Sequence, residues 1–415
     1  AAAEPERDAG RRTCRGSRIA GHESGGGSLM ERVTFTREPL IALILGAAGL
    51  IGGVLLGSGG AFYESWLMAF LFWIGVSLGA LALLSVGHMA GGSWSALIQR
   101  PLEASVSLLP IMALLFLPIL FGMNMLFIWT DAAYVASHPL VAAKTAYLNT
   151  PFFIVRAGIY FGLWLLAAWL YLRGSARQDR DAAASGAIGF RLKSQSGLWL
   201  VLYVATMTFA GRDWAMSLTP EWWSGIYSVI FMISQAISAM SIVILTMVML
   251  SRRNDRVNAL LTEKRLQDLG NFLMAFLMFW AYVSFSQLII IWSGNVSELA
   301  GWYTVRLGPG WLLLGGFLLA FGFLAPFVIL FSRWVKRKRM ALAVVASWTI
   351  LTMILNLIYF VVPAFERSGA AITLSDPLIW LGIGGIWIFF YLRRLSAHPI
   401  LPANDPRLKG ADHHA

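Results

Sequence analysis

Between residues 40 and 392 the chain alternates long apolar runs with short polar connections, most of them basic. Ten runs stand out, at 40–57, 61–87, 107–130, 151–172, 197–217, 223–249, 270–292, 309–332, 340–362 and 376–392. Each approaches the ~20 residues that a helix needs to cross a bilayer. Only Arg156 and Arg212, of 32 Lys and Arg, fall inside the runs. The pattern predicts an all-α polytopic membrane protein with ten transmembrane helices spanning 39–395, between a polar tail at 1–38 and a C-terminal tail at 396–415. A cleaved signal peptide at 30–60 is the competing reading; it would leave nine helices and place the termini on opposite sides. The polar stretch 1–38, with Gly25-Gly26-Gly27-Ser28 ahead of Met30, is expected to be disordered, with Met30 a candidate start.

Composition agrees with the pattern. A chain that is 58% hydrophobic and 13% charged departs from ordinary soluble domains. Its +11 net charge is distributed by side. Seven basic residues precede the first run, and the alternate connections add Arg100, the set from Arg173 to Lys193, the set from Arg252 to Arg265, and Arg333 to Arg339. With Arg393, Arg394, Arg407 and Lys409, that side holds 27; the other holds Lys144, Arg306 and Arg367. The bias predicts that the rich side and both termini are cytoplasmic. The basic runs are therefore topology signals facing anionic lipid, with no nucleic-acid partner implied.

Candidate redox chemistry is narrowed by what the chain carries. Cys14 is the single cysteine and lies in the N-terminal tail, so thiolate metal sites and Cys-ligated clusters are not expected in the core. The six histidines lie at run ends, in loops or in the tails, giving no pair on facing helices to ligate a b-type haem. Nucleotide-binding and zinc-protease motifs do not occur. No metal-bound or covalent cofactor is predicted, and no residue is assigned a catalytic role.

Polar residues within apolar runs carry the remaining signal, because burying them in a membrane is costly. Glu64, Asn124, Arg156, Arg212, Asp213, Gln287 and Asn356 lie at comparable depth, about one to two turns from the external end. Tyr282 and Gln235 lie nearer the middle. The functional reading is a proton path or quinone pocket open to the external face, using Glu64, Asn124, Arg156, Arg212, Asp213, Tyr282 and Gln287. The structural reading is an Arg156–Asp213 ion pair locking consecutive antiparallel helices, with amides bridging the others. On the cytoplasmic side His88, Arg100 and Glu103 form a candidate proton-uptake group, His88 titrating near neutrality. Trp66, Trp129, Trp222, Trp223, Trp292 and Trp302 read as interface belts.

Four segments carry a more specific likeness: HMAGGSWSALIQRPLEA at 88–104, YLNTPFFIVRAGIYFGLWL at 147–165, TFAGRDWAMSLTPEWWSGIYSVIFMISQ at 208–235 and DLGNFLMAFLMFWAYVSFSQLIIIWSGNVSE at 268–298. With HPILPANDPRL at 398–408, the chain resembles the second quinone-binding-type membrane subunit of alternative complex III, a quinol:cytochrome c oxidoreductase. The resemblance implies the polysulfide-reductase-type membrane-anchor fold: two four-helix bundles, helices 2–5 and 6–9, flanked by helices 1 and 10. It also implies a bacterial inner-membrane subunit without a redox centre, partnered by a homologous sister membrane subunit and by iron–sulfur and haem c subunits. Quinone or quinol is its implied ligand and proton conduction its implied further role. Two other classes remain: a stand-alone secondary transporter, which would show paired helix interruptions, and the membrane anchor of a molybdopterin-type oxidoreductase.

Overall fold

The computed structural model describes residues 32–57, 59–365, 374–402, 404, 405 and 407. The polar tail expected at 1–38 thus lies outside the described residues up to position 31, as does Arg367. Every regular element among the described residues is helical. The long ones are α1 (Glu38–Leu56), α2 (Gly60–Ala90), α3 (Ser93–Val106) continued by α4 (Leu109–Leu115) and α5 (Leu117–Phe121), α6 (Thr150–Arg180), α7 (Ser185–Trp214), α8 (Tyr227–Ser251) and α9 (Glu263–Gly294). They are followed by α10 (Pro309–Phe317), α11 (Ala325–Phe331), α12 (Arg339–Val361) and α13 (Ser375–Ala397). Nine spans among the described residues are long and apolar enough to cross a membrane. The remaining long helix, α7, has 30 residues, but Arg191, Lys193, Arg212 and Asp213 leave it a shorter apolar centre.

Several helices outrun their apolar runs. α6 continues to Arg180 and α7 begins at Ser185, twelve residues before the predicted start, because the basic ends keep helical geometry while their charged heads reach outward. Caps set the other limits. Asn149 accepts from Phe152 N–H at 2.9 Å and starts α6, with Pro151 in its first turn. Asn295 closes α9 in the left-handed region at φ 47°.

The segment 88–106, expected as a loop, is the largest departure. Gly91 (φ 73°) and Gly92 (φ 93°) turn the chain sharply, and α3 then re-enters the protein from Ser93. Almost all of α3 is buried, including Gln99, Arg100 and Glu103.

α2 is the centre of the molecule: 89% of its apolar window is buried, against 17% for the α10–α11 span. It packs against α3, α7, α8, α12 and α13, while α8 packs against α7, α9 and α12. α1 lies on α13 through small residues: a Cβ on Gly385 would stand 2.4 Å from Gly46 Cα, and one on Gly49 would stand 2.6 Å from Leu378 O. Without a hydrophobic drive between helices in lipid, such close backbone approach supplies the packing.

Two prolines break spans, and a tryptophan covers each break. Around Pro118, Ile119 N–H turns to Phe116 O, and Trp66 Nε1 donates to the freed Leu115 O at 2.9 Å. Residues Leu318–Leu324 form a wider π-helical turn ahead of Pro326. In that register Phe321 O would accept from residue 326, which has no N–H, and Trp348 Nε1 donates to it at 2.7 Å. The expected Trp belt is correspondingly divided. Trp223 and Trp292 are exposed, whereas Trp66, Trp129, Trp222 and Trp302 are buried, their large rings packed inside.

Candidate functional site

Polar side chains gather in two buried centres at opposite ends of the helices. At the end away from the basic loops, Arg156 in the second turn of α6 meets Asp213 in the last turn of α7. Nε donates to Oδ2 at 2.8 Å and Nη2 to Oδ1 at 2.9 Å, a bidentate pair. Nη1 donates to Tyr147 O at 2.8 Å, and Tyr160 OH donates to Asp213 Oδ2 at 2.8 Å. The guanidinium lies 3.9 Å from the Tyr147 ring centroid and 4.4 Å from that of Phe152. Burial, with the Asp213 charge beside it, pushes the Tyr147 phenol up to about 12.

The other residues of the expected external layer do not join this pair. Glu64 and Asn124 line a separate vestibule of about 520 Å³ with Asp131, Glu221, Glu298 and Arg306. Arg212, one residue before Asp213, points elsewhere on α7, with Phe209 beneath it at 6.0 Å. Gln287 accepts from Ser224 Oγ at 2.9 Å, and Asn356 Nδ2 donates to Ser234 Oγ at 3.3 Å. Gln235 accepts from Tyr203 OH at 2.8 Å near the middle. Tyr282 is two-thirds exposed: the buried face of α9 runs through Leu277, Trp280, Val283 and Gln287, and position 282 falls on the opposite face. One layer spread over six helices is therefore several local bridges plus one ion pair.

At the basic end, Glu103 accepts from Gln99 Nε2 at 2.7 Å and from Arg100 Nη1 at 2.6 Å. Arg100 also donates to Ser175 Oγ at 2.9 Å and pairs with Asp179. His88 stacks on Tyr171 at 5.5 Å, and that phenol hydrogen-bonds with Ser85 and Ser196. All three sequence-predicted residues here are buried.

Sequence reasoning missed Tyr160, Ser175, Asp179, Arg306 and Arg407. Tyr160 stands one helical turn from Arg156, a spacing that could have flagged it. Arg306 sits 3.4 Å over the Trp302 ring and donates to the carbonyls of Trp302, Tyr359 and Phe360 at 2.6, 3.1 and 3.0 Å. Burial lowers it to about 10. Backbone partners leave no trace in a sequence. Among the described residues no group of His, Cys, Asp and Glu is arranged to hold a metal. No protein-family model and no curated protein matches the chain.

Proposed function

We propose that this chain is an integral membrane subunit, without a redox centre of its own, of a quinol:cytochrome c oxidoreductase of the alternative complex III type. The observation that carries the reading is the Arg156–Asp213–Tyr160 centre, an ion pair with an added phenol held inside long apolar helices. Charges at such depth are retained for a task more often than for packing. The sequence resemblance at 147–165 and 208–235 covers the residues of this centre. In this reading α7 is a tenth span, and the termini and basic loops face the cytoplasm of a bacterial inner membrane. The packing of α2, α3–α5, α6 and α7 together, and of α8, α9, α10–α11 and α12 together, supports two four-helix bundles flanked by α1 and α13.

Quinol is oxidised in this scheme by the homologous sister membrane subunit, and electrons leave through the iron–sulfur and haem c subunits. The present chain supports assembly and supplies groups for proton movement: Asp213, Tyr160 and Glu64 outside, Glu103 and His88 inside. The test uses the assembled complex. Read per assembled complex, Asp213→Asn and Glu103→Gln should lower quinol:cytochrome c turnover or proton release at least threefold. Full turnover with full proton stoichiometry in both variants returns the two centres to a structural role. Purification of the chain as a stable monomer active in solute uptake would favour a transporter instead.

A further inference from the structure

We propose that the described tail residues, 398–402 with Asn404, Asp405 and Arg407, form a strap that closes the basic end of the α2–α3 corner, and that its release exposes the buried His88–Arg100–Glu103 cluster to water. The tail leaves α13 after Ala397 and passes beneath the helices. Ile400 and Leu401 are buried and seat it. Asn404 Nδ2 donates to the carbonyls of Gln178 and Asp179, at 3.2 and 3.0 Å, where α6 ends. Ser185 Oγ at the start of α7 donates back to Asn404 O.

Arg407 completes the seal. Its guanidinium donates to Gln99 Oε1 at 2.6 Å, Ser95 Oγ at 3.1 Å and Gly87 O at 3.4 Å, bridging the end of α2 to the re-entrant α3. Gln99 in turn donates to Glu103, so the strap is one hydrogen bond from the buried carboxylate. Arg407 brings its own counter-ion: Asp405, buried and hydrogen-bonded to it, enters with it as a neutral pair. Burial alone would raise the Asp405 carboxyl, but the Arg407 hydrogen bonds and charge hold it below its usual range. A neutral pair leaves the cluster's charge balance the same whether the strap is seated or free. Arg100 pairs with both Glu103 and Asp179 without it. The cluster thus keeps its own ion pairs, while its access to water depends on a tail held by side-chain contacts. That combination describes a closure device more than a buried structural element.

The inference does not depend on the reaction the chain serves, and its test reads access alone. Hydrogen exchange of amides 93–104 would be followed by mass spectrometry on the full chain in nanodiscs, in a Cys14→Ser background. Ser185→Cys with Asn404→Cys locks the strap when oxidised. The locked protein should exchange at least fivefold more slowly than the unlocked one, and reduction should restore the faster rate. Asp405→Asn with Arg407→Gln, which loosens the strap without removing it, should speed exchange at least fivefold. Equal rates in locked and reduced protein would overturn release. Unchanged exchange in the Asp405→Asn/Arg407→Gln protein would overturn closure.

Discussion

Arg156 and Arg306 both lie buried near the end opposite the basic loops, and the two halves of the molecule hold them differently. Arg156 in the first half faces a carboxylate, bidentate and buried, with a phenol on the same oxygen. Arg306 in the second half lies between Trp302 and the C-terminal carbonyls of α12. Those carbonyls are left over because a helix end has no further N–H groups to offer, and a cation there also meets the negative end of the helix dipole. Partial charges from several dipoles therefore replace one full charge. The difference matters for chemistry: a carboxylate and a phenol sharing a hydrogen bond offer a proton position, whereas carbonyls and an indole offer none. The proposed proton role rests on the first of these two arginine centres, where the carboxylate touches the guanidinium directly.

Removing the anion should separate the two most sharply. Asp213→Ala leaves the Arg156 cation buried without its partner, a loss on the order of 3–5 kcal/mol. Thermal unfolding in detergent should show a drop large enough to threaten assembly. Asp213→Leu combined with Arg156→Met should recover much of that loss, because the unpaired charge goes with the pair. If the double variant is no more stable than Asp213→Ala, the pair owes its stability to something beyond charge compensation.

In the second half the corresponding change is milder. Arg306→Gln removes the cation and leaves three carbonyls with one amide donor pair between them, a cost of about 1–3 kcal/mol. No single carboxylate substitution in the vestibule should mimic it, because Arg306 draws its support from backbone. Should Glu298→Gln or Glu64→Gln destabilise the protein as much as Arg306→Gln, the vestibule acids would be its true counter-charges, and the contrast between the halves would dissolve.

How much of this was legible beforehand follows the same division. Helix existence, the basic bias and the Arg156–Asp213 pairing rest on side chains, so they were readable: a single acid between two consecutive apolar runs has few partners to choose from, and Arg156 lies at its depth on the neighbouring run. Arg306 was counted only as a loop charge, since its partners are carbonyls that any sequence would supply. The 88–106 segment read as loop from its glycines and Trp94, although Arg100 and Glu103 stand at the spacing of one helical face across Pro101, and the structure pairs them. Polar residues such as Gln99 and Arg100 gave no periodic apolar stripe to announce a helix that buries polar groups on most sides. Tyr282 was misplaced for the opposite reason: depth along a helix was legible, but the face was not until Trp280, Val283 and Gln287 were seen to turn inward. The C-terminal segment carried a recognisable pattern without any hint of what Arg407 would touch.

The smallest expected effect sharpens the contrast by titration. Tyr147 packs under Arg156, and burial together with the Asp213 charge raises its phenol from 10.0 to about 12. A group raised in the folded state contributes stability that is complete below its unfolded value, here about 10, and is lost as pH rises through about 12. Arg306 shifts the other way, lowered by burial to about 10, so the penalty for burying its charge is full below pH 10 and is relieved as pH rises above it. Between pH 10 and 12 the first half should therefore weaken while the second half is relieved. Unfolding temperatures measured across that window should fall less steeply in Tyr147→Phe than in the parent, and more steeply in Arg306→Gln. Parallel curves for all three proteins would mean that neither group feels its surroundings as the geometry requires, and the distinction between a carboxylate-held and a carbonyl-held arginine would then lack an electrostatic basis.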